Sequence, residues 1–237
     1  MKYKSRLIPI APDGWRFVGV FGVLGALFLL FGAWFSKTVG GVLGLLALFS
    51  LRFFRDGERT VPVTTDLLAP ADGTVTEVSD VDGEGYGRGR VIRIFLSVFD
   101  GHVQRAPLAG RVTKTHYQPG LFLDARNARA AFANESNAIE IESSKGRVVV
   151  RQIAGLIARR IVCWVRPDDV VEAGERIGLI RYGSQVNLYV PLDVEITVKD
   201  GDKVSAGQTI VGRWKNAGSS QRAGSADRTV EPAGVGA

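Results

Sequence analysis

Two long apolar runs open the chain, and short alternating runs fill most of the rest. From Phe17 to Phe35 every position is apolar or glycine, and at about 1.5 Å per residue such a helix crosses most of a bilayer's hydrocarbon core. A polar triplet, Ser36-Lys37-Thr38, separates it from a second run, Val39 to Leu51, which Phe53 and Phe54 extend past Arg52. An arginine stem can lie along apolar surface while its head reaches water. The pattern predicts helices over about 17–35 and 39–54, joined as a hairpin that either spans the membrane or enters and returns. Residues 1–56 are expected to form a membrane anchor.

Beyond Pro62 the runs become short, β-branched and punctuated by Gly, Asp and Pro. Gly73–Val78, Arg90–Leu96, Asn137–Glu142, Arg147–Arg151 and Arg160–Val165 read as strands, and their spacing predicts a mainly β domain over residues 57–214. One helix is expected around Ala125–Phe132. After Trp214 the composition turns to Gly, Ala, Ser and scattered charge, so residues 215–237 are expected to be a disordered tail.

An internal echo refines the β reading. Val165–Gly178 aligns without gaps on Val198–Val211, with Val, Asp, Val, Ala, Gly and Ile at equal offsets, and each copy reads as strand, Asp/Gly turn, strand. Units of this kind resemble the two halves of a barrel-sandwich hybrid, the architecture of biotinyl and lipoyl carrier domains. A carrier presents a modified lysine between its halves. Here that connection holds Arg181-Tyr182-Gly183-Ser184-Gln185.

Charge and composition narrow the surroundings. The net charge of +6 is spread along the chain without a long basic run, which suits the anionic headgroups of a cytoplasmic leaflet better than nucleic acid. Lys2, Lys4, Arg6 and Arg16 precede the first apolar run and Arg52, Arg55 and Arg59 follow the second, with Lys37 alone between them. By the positive-inside rule both ends face the cytoplasm. A secretory signal shares the basic start, but the run is long, a second follows, and no small-x-small cleavage site is evident. Cys163 is the only cysteine, so an intrachain disulfide and a cysteine-rich zinc site are excluded; it reads as a small buried hydrophobe. No metal site is expected. With only His102 and His116, few groups can move protons at neutral pH.

Gly183-Ser184 alone is a weak signal, since such dipeptides fill ordinary turns. This one lies between two strands in Leu179–Pro191, a segment similar to the processing site of phosphatidylserine decarboxylases. Phe53-Phe-Arg-Asp56, Ala69-Pro-Ala-Asp-Gly73 and Leu96-Ser-Val-Phe-Asp-Gly-His-Val-Gln-Arg-Ala-Pro107 resemble further motifs of that family in order, as do Tyr117–Phe122 and Asn134–Asn137. Together they reach from the anchor to Trp214, and the chain resembles the short bacterial and archaeal proenzymes.

The resemblance implies that the Gly183–Ser184 bond breaks and that Ser184 becomes a covalent pyruvoyl cofactor, giving a large and a small chain from one precursor. His102 is the implied base, oriented by Asp72, as in other nucleophile-base-orienter sets. The implied substrate is phosphatidylserine held in the inner membrane, converted to phosphatidylethanolamine on the cytoplasmic side; nucleic acid is not a partner, and a homo-oligomer is compatible with the pattern. Two positions depart from the family: Arg105 stands where long forms carry a second histidine, and Gln185 where short forms often carry arginine.

Other readings remain open at this point. A membrane segment joined to a barrel-sandwich domain is also the plan of periplasmic adaptors, but those need coiled-coil arms and no heptad stretch occurs. An uncleaved lipid-binding scaffold and a pyruvoyl decarboxylase of a soluble amino acid are further alternatives; the four residues Asp72, His102, Gly183 and Ser184 argue against the first, the anchor against the second. His116 reads as structural. Gly85–Gly89 lacks the lysine and helix of a phosphate loop and reads as a hairpin turn. Arg88, Arg90 and Arg93 fit either a lipid phosphate or a solvated face.

Overall fold

The structure, a computed structural model, describes residues 9–31, 33–83, 86–123, 133–155, 160–181 and 184–215. Gly183, the helix expected at Ala125–Phe132 and the tail from 216 onward lie outside these residues.

Helix α1 spans Gly14–Leu30 and α2 spans Trp34–Phe53, so α2 begins ahead of the place the polar triplet suggested. Ser36, Lys37 and Thr38 lie instead in the first turns of α2, where Thr38 Oγ1 donates to Trp34 O (3.1 Å). A hydroxyl that bonds back within its own helix does not need to mark a loop. Helix α1 begins at Gly14, ahead of the apolar run, and the Asp13 carboxylate at its N-cap makes no cap bond, being engaged by Arg181 instead. The two helices meet at glycine: a Cβ on Gly25 would lie 3.2 Å from Gly40 O, and one on Gly40 would lie 2.7 Å from Leu29 Cγ. Small residues let apolar helices approach closely. Their outer faces expose Leu27, Leu45 and Leu48, and the tip presents Leu30, Phe31, Trp34 and Phe35, with Leu30 82% exposed. Such an apolar surface calls for a membrane or a partner. Among the described residues, α2 alone is long and apolar enough to cross a bilayer.

The rest is mainly strand. In order come β1 (Leu67–Leu68), β2 (Gly73–Val81), β3 (Gly89–Leu96), β4 (Val103–Arg105), β5 (Gly110–Gln118), β6 (Ser136–Ser143) and β7 (Gly146–Ala154). They are followed by β8 (Ile161–Cys163), β9 (Val170–Val171), β10 (Arg176–Ile180), β11 (Ser184–Val190), β12 (Val194–Ile196), β13 (Lys203–Val204) and β14 (Ile210–Trp214). The five predicted strands correspond to β2, β3, β6, β7 and β8, the last shorter than expected. A curled sheet of order β13-β2-β3-β11-β7-β6-β5-β9 is joined by two small sheets, β4-β10-β8 and β1-β14-β12. Every pairing between these strands is antiparallel. Val186, Leu188 and Val190 of β11 enter the main core with Ile92, Ile94 and Leu96 of β3 and Val148 and Val150 of β7.

The sequence repeat is a structural one. Arg166 N donates to Asp169 Oδ2 at 2.8 Å and Lys199 N to Asp202 Oδ2 at 2.9 Å, thirty-three positions on in each case. Asp168 and Gly201 take the matching left-handed conformations, φ 74° and 91°. Gly174 and Gly207 donate to the carbonyls of Ala106 and Ala69, both at 2.8 Å. Those acceptors reveal a second repeat, Ala69-Pro-Ala-Asp-Gly-Thr-Val-Thr against Ala106-Pro-Leu-Ala-Gly-Arg-Val-Thr. The β domain is thus two like halves, with the barrel-sandwich character the sequence suggested. Asp72 falls where the other half has Ala109, so one half alone carries the carboxylate.

Candidate active site

Ser184 opens β11, the strand between β3 and β7, and pairs with Leu96 on one side and Ala154 on the other. Alternation along a strand puts it on the same face as Val186 and Leu188, and both of its pairing partners belong to the apolar core. It is fully buried, and Oγ has no hydrogen-bond partner among the described residues. Gln185 faces the other way, donating through Nε2 to Asn187 Oδ1 (2.7 Å).

His102 reaches this corner from two directions. Leu96, opposite Ser184, leads into the loop 97–101 that ends at His102, a turn closed by Ser97 N donating to Asp100 Oδ2 and Asp100 N donating to Ser97 O, both at 2.8 Å. The His102 carbonyl then accepts from Ile180 N (3.2 Å) at the end of β10, four residues ahead of Ser184. The ring is buried, with its centroid 4.0 Å from that of Phe53 at the foot of α2. Burial pushes its pKa down to about 4, so the imidazole is neutral at physiological pH. Nδ1 lies 3.0 Å from Asp100 O. A carbonyl only accepts, so Nδ1 carries the hydrogen and Nε2 is left as a base.

Asp72 stands behind this loop. A Cβ on Gly101 would lie 2.3 Å from Asp72 Oδ2, so glycine beside His102 is what lets the carboxylate come so close. Arg59 grips Asp72 with two bonds, NH1 to Oδ1 at 2.5 Å and NH2 to Oδ2 at 2.7 Å, and Ala206 N donates to Oδ1 at 2.8 Å. Burial raises the Asp72 pKa, but the Arg59 pair and the Ala206 N–H outweigh it and hold the carboxyl below its ordinary range. Its negative charge in turn favours a proton on His102.

The segment after α2 supplies groups that in the sequence stand only as part of a motif, or as flanking charge. Phe53 covers His102, Arg55 donates to Phe99 O (2.9 Å) and Asp100 O (3.3 Å), and Arg59 holds Asp72. Asp56 is buried between Arg105, at 3.2 Å, and Arg176, at 2.7 Å. Arg105, the departure from the long forms, is therefore a clamp: it also donates to Gly57 O and Gly174 O. Behind His102 runs a buried amide relay, Gln104 Nε2 to His102 O, Gln152 Nε2 to Gln104 Oε1, and Asn137 Nδ2 to Gln152 Oε1, at 2.8, 2.9 and 2.9 Å. Arg90 is paired with Asp80 and Arg93 with Glu77. His116 is exposed on β5 and lines a different cavity. Cys163 is partly buried against the core, its thiol donating to Val165 O.

The foot of the hairpin and this corner form one unit. Ile10, Ala11, Phe53 and Phe54 pack with Val103 of β4 and Leu179 of β10 in a single apolar cluster, and Ala11 N donates to Phe54 O while Asp56 N donates to Pro9 O. A buried hydroxyl without a partner among the described residues stands at the head of β11, opposite the end of the strand that leads into the His102 loop.

Comparison with known proteins gives this arrangement a family. The sequence model of phosphatidylserine decarboxylase matches residues 46–212. A phosphatidylserine decarboxylase proenzyme of Symbiobacterium thermophilum is 45% identical over 208 residues, covering 86% of this chain and 95% of that protein. One of Desulfotalea psychrophila is 41% identical over 210 residues, 87% of this chain and 97% of that protein. One of Pelobacter propionicus is 42% identical over 217 residues, 89% and 99%. Identity of this extent runs from the anchor through the corner that holds Asp72, His102 and Ser184, and the chain belongs to the phosphatidylserine decarboxylase family of enzymes.

Proposed function

We propose that the chain is made as a precursor, cuts itself between Gly183 and Ser184, and decarboxylates phosphatidylserine to phosphatidylethanolamine at the cytoplasmic face of the membrane. The observation that carries this reading is the Ser184 hydroxyl, buried at the head of β11 with no partner among the described residues. An unpaired buried polar group costs about 1–3 kcal/mol, and a fold that keeps one has a use for it.

In the cleavage, Ser184 Oγ gives its proton to His102 Nε2 and attacks the Gly183 carbonyl carbon. The peptide C–N bond breaks, the His102 proton goes to the released nitrogen, and an ester joins Gly183 to the Ser184 side chain. Loss of the Ser184 Cα proton then expels the ester oxygen, freeing residues 1–183 with a terminal carboxylate and leaving dehydroalanine at 184. Its tautomer takes up one water and releases ammonia, so the small chain begins with a ketone. Once formed, that pyruvoyl group supplies an electrophilic carbonyl for the headgroup amine and takes the electron pair left by carbon dioxide.

The chain's own residues do the rest. His102 takes a proton from the headgroup ammonium as the amine is engaged and gives it to the headgroup carbon after carbon dioxide leaves, and Asp72, fixed by Arg59, stabilises the transient imidazolium through its charge. Phe53 and the apolar foot of the hairpin keep water from the ring. A diacyl lipid rarely leaves the bilayer, and an anchor rooted on the catalytic corner brings the site to it.

Denaturing electrophoresis of the purified protein should show two chains, 1–183 and one starting at residue 184 that resists N-terminal sequencing. Ser184→Ala should run as one chain, and His102→Ala should slow cleavage by about 10²–10⁴-fold. A Ser184→Ala protein that still separates into the same two chains would refute the reading.

A further inference from the structure

Three arginines converge on a cleft at the foot of α1. Among the described residues, this cleft of about 450 Å³ is lined by Pro12, Asp13, Arg16, Phe17, Arg160 and Arg181. Its three guanidinium groups face one carboxylate, and Asp13 is already engaged by Arg181. Arg181 Nε is a buried donor with no partner among the described residues, and its guanidinium lies 5.6 Å from the Phe17 ring centroid. Arg181 N donates to Arg160 O (3.2 Å), which sets the two side chains side by side. Arg16 stands in the first turn of α1, where the helix dipole adds to the positive field.

The position is as informative as the charge. Arg16 is the last cation before the apolar run, and Phe17 begins it, so the cleft lies where hairpin meets headgroups. Arg181 is three residues ahead of Ser184. A guanidinium fork matches the paired oxygens of a phosphate, and a phosphodiester monoanion would offset one of the two positive charges that Asp13 leaves over.

We infer that this cleft receives the phosphodiester of a membrane lipid and, resting on the function proposed above, holds the substrate's phosphate while its headgroup reaches Ser184. Two arginines, Arg16 and Arg160, are exposed and can be changed without loss of a described ion pair.

The full chain in uncharged detergent micelles allows two readouts: binding of phosphatidylglycerol, an anionic phosphodiester without the reactive amine, and decarboxylation against the mole fraction of phosphatidylserine. Arg16→Gln and Arg160→Gln should each weaken phosphatidylglycerol binding about tenfold, the size of one charged hydrogen bond. Each should raise KM for phosphatidylserine similarly, with a much smaller change in kcat, and self-cleavage should proceed. Arg52→Gln removes the same charge from the exposed end of α2 and should change binding less than twofold. An equal loss in Arg52→Gln, or unaltered binding in the other two, overturns the cleft. Displacement of the lipid by an equal concentration of inorganic phosphate overturns it as a lipid site. Arginine-dependent phosphatidylglycerol binding without any decarboxylation would sink the proposed function and leave the cleft standing.

Discussion

Single side chains in the corner owe their protonation states to burial. His102 is neutral because its ring is shut between Phe53 and the 97–101 loop, and a base with a pKa of about 4 stops accepting protons only in acid. The rate of self-cleavage by freshly made precursor should therefore be level from neutral pH down to about pH 5 and halve near pH 4. Phe53→Leu, which leaves room for water beside the ring, should move that half-point upward, toward the ordinary histidine value of about 6.5. A half-point that stays near 4 in this variant would mean that Phe53 does not control the ring's hydration. Burial acts on the Asp72 carboxyl with the opposite sign. Arg59→Gln removes the bond that keeps its carboxyl low, so burial should then raise its pKa, and cleavage should become sensitive to acid at a higher pH than in the wild type.

Among the elements, the segment between α2 and β1 ties the anchor to the β domain through one buried carboxylate. Asp56 faces Arg105 and Arg176, and all three side chains are at least nine-tenths buried. Asp56→Asn leaves Arg105 without its described counter-charge and Arg176 with only the exposed Glu58, and breaking such a buried pair typically costs about 3–5 kcal/mol. Thermal unfolding in detergent should show that loss, with Glu58→Gln, an exposed partner of Arg176, as the mild comparison. The sequence carried much of this scale. The two apolar runs marked the helices, alternation marked the strands, and Val165–Gly178 against Val198–Val211 marked the halves. The reversal between α1 and α2 is hidden in the sequence because Thr38 is polar yet satisfied inside a helix. The repeat of Ala69–Thr76 in Ala106–Thr113 is hard to see in the sequence because three of its eight positions differ, Asp72 among them. Of the site, Asp72, His102, Gly183 and Ser184 were legible as motif residues. Phe53, Arg55 and Arg59 were not, since their partners lie far along the chain, Arg55 on Phe99 forty-four residues away, and only tertiary contact gives them a role.

For the molecule as a whole, the hairpin and the catalytic corner share one apolar cluster, so chemistry and membrane attachment are predicted to depend on each other in one direction only. Phe31→Lys with Phe35→Lys places two charges at the exposed apolar tip, far from His102 along the hairpin. If the tip lies in hydrocarbon, each costs about 2–3 kcal/mol, and the protein should shift from the membrane to the soluble fraction while still cutting itself. The central claim is that the peptide bond before Ser184 rearranges without help. Intact mass of the purified full chain measures it most directly. The account predicts two species whose masses sum to the encoded chain less one ammonia and plus one water for the cleavage step and its hydrolysis taken together, the smaller gaining two hydrogens on borohydride treatment. One species at the full encoded mass, inert to borohydride, would contradict it.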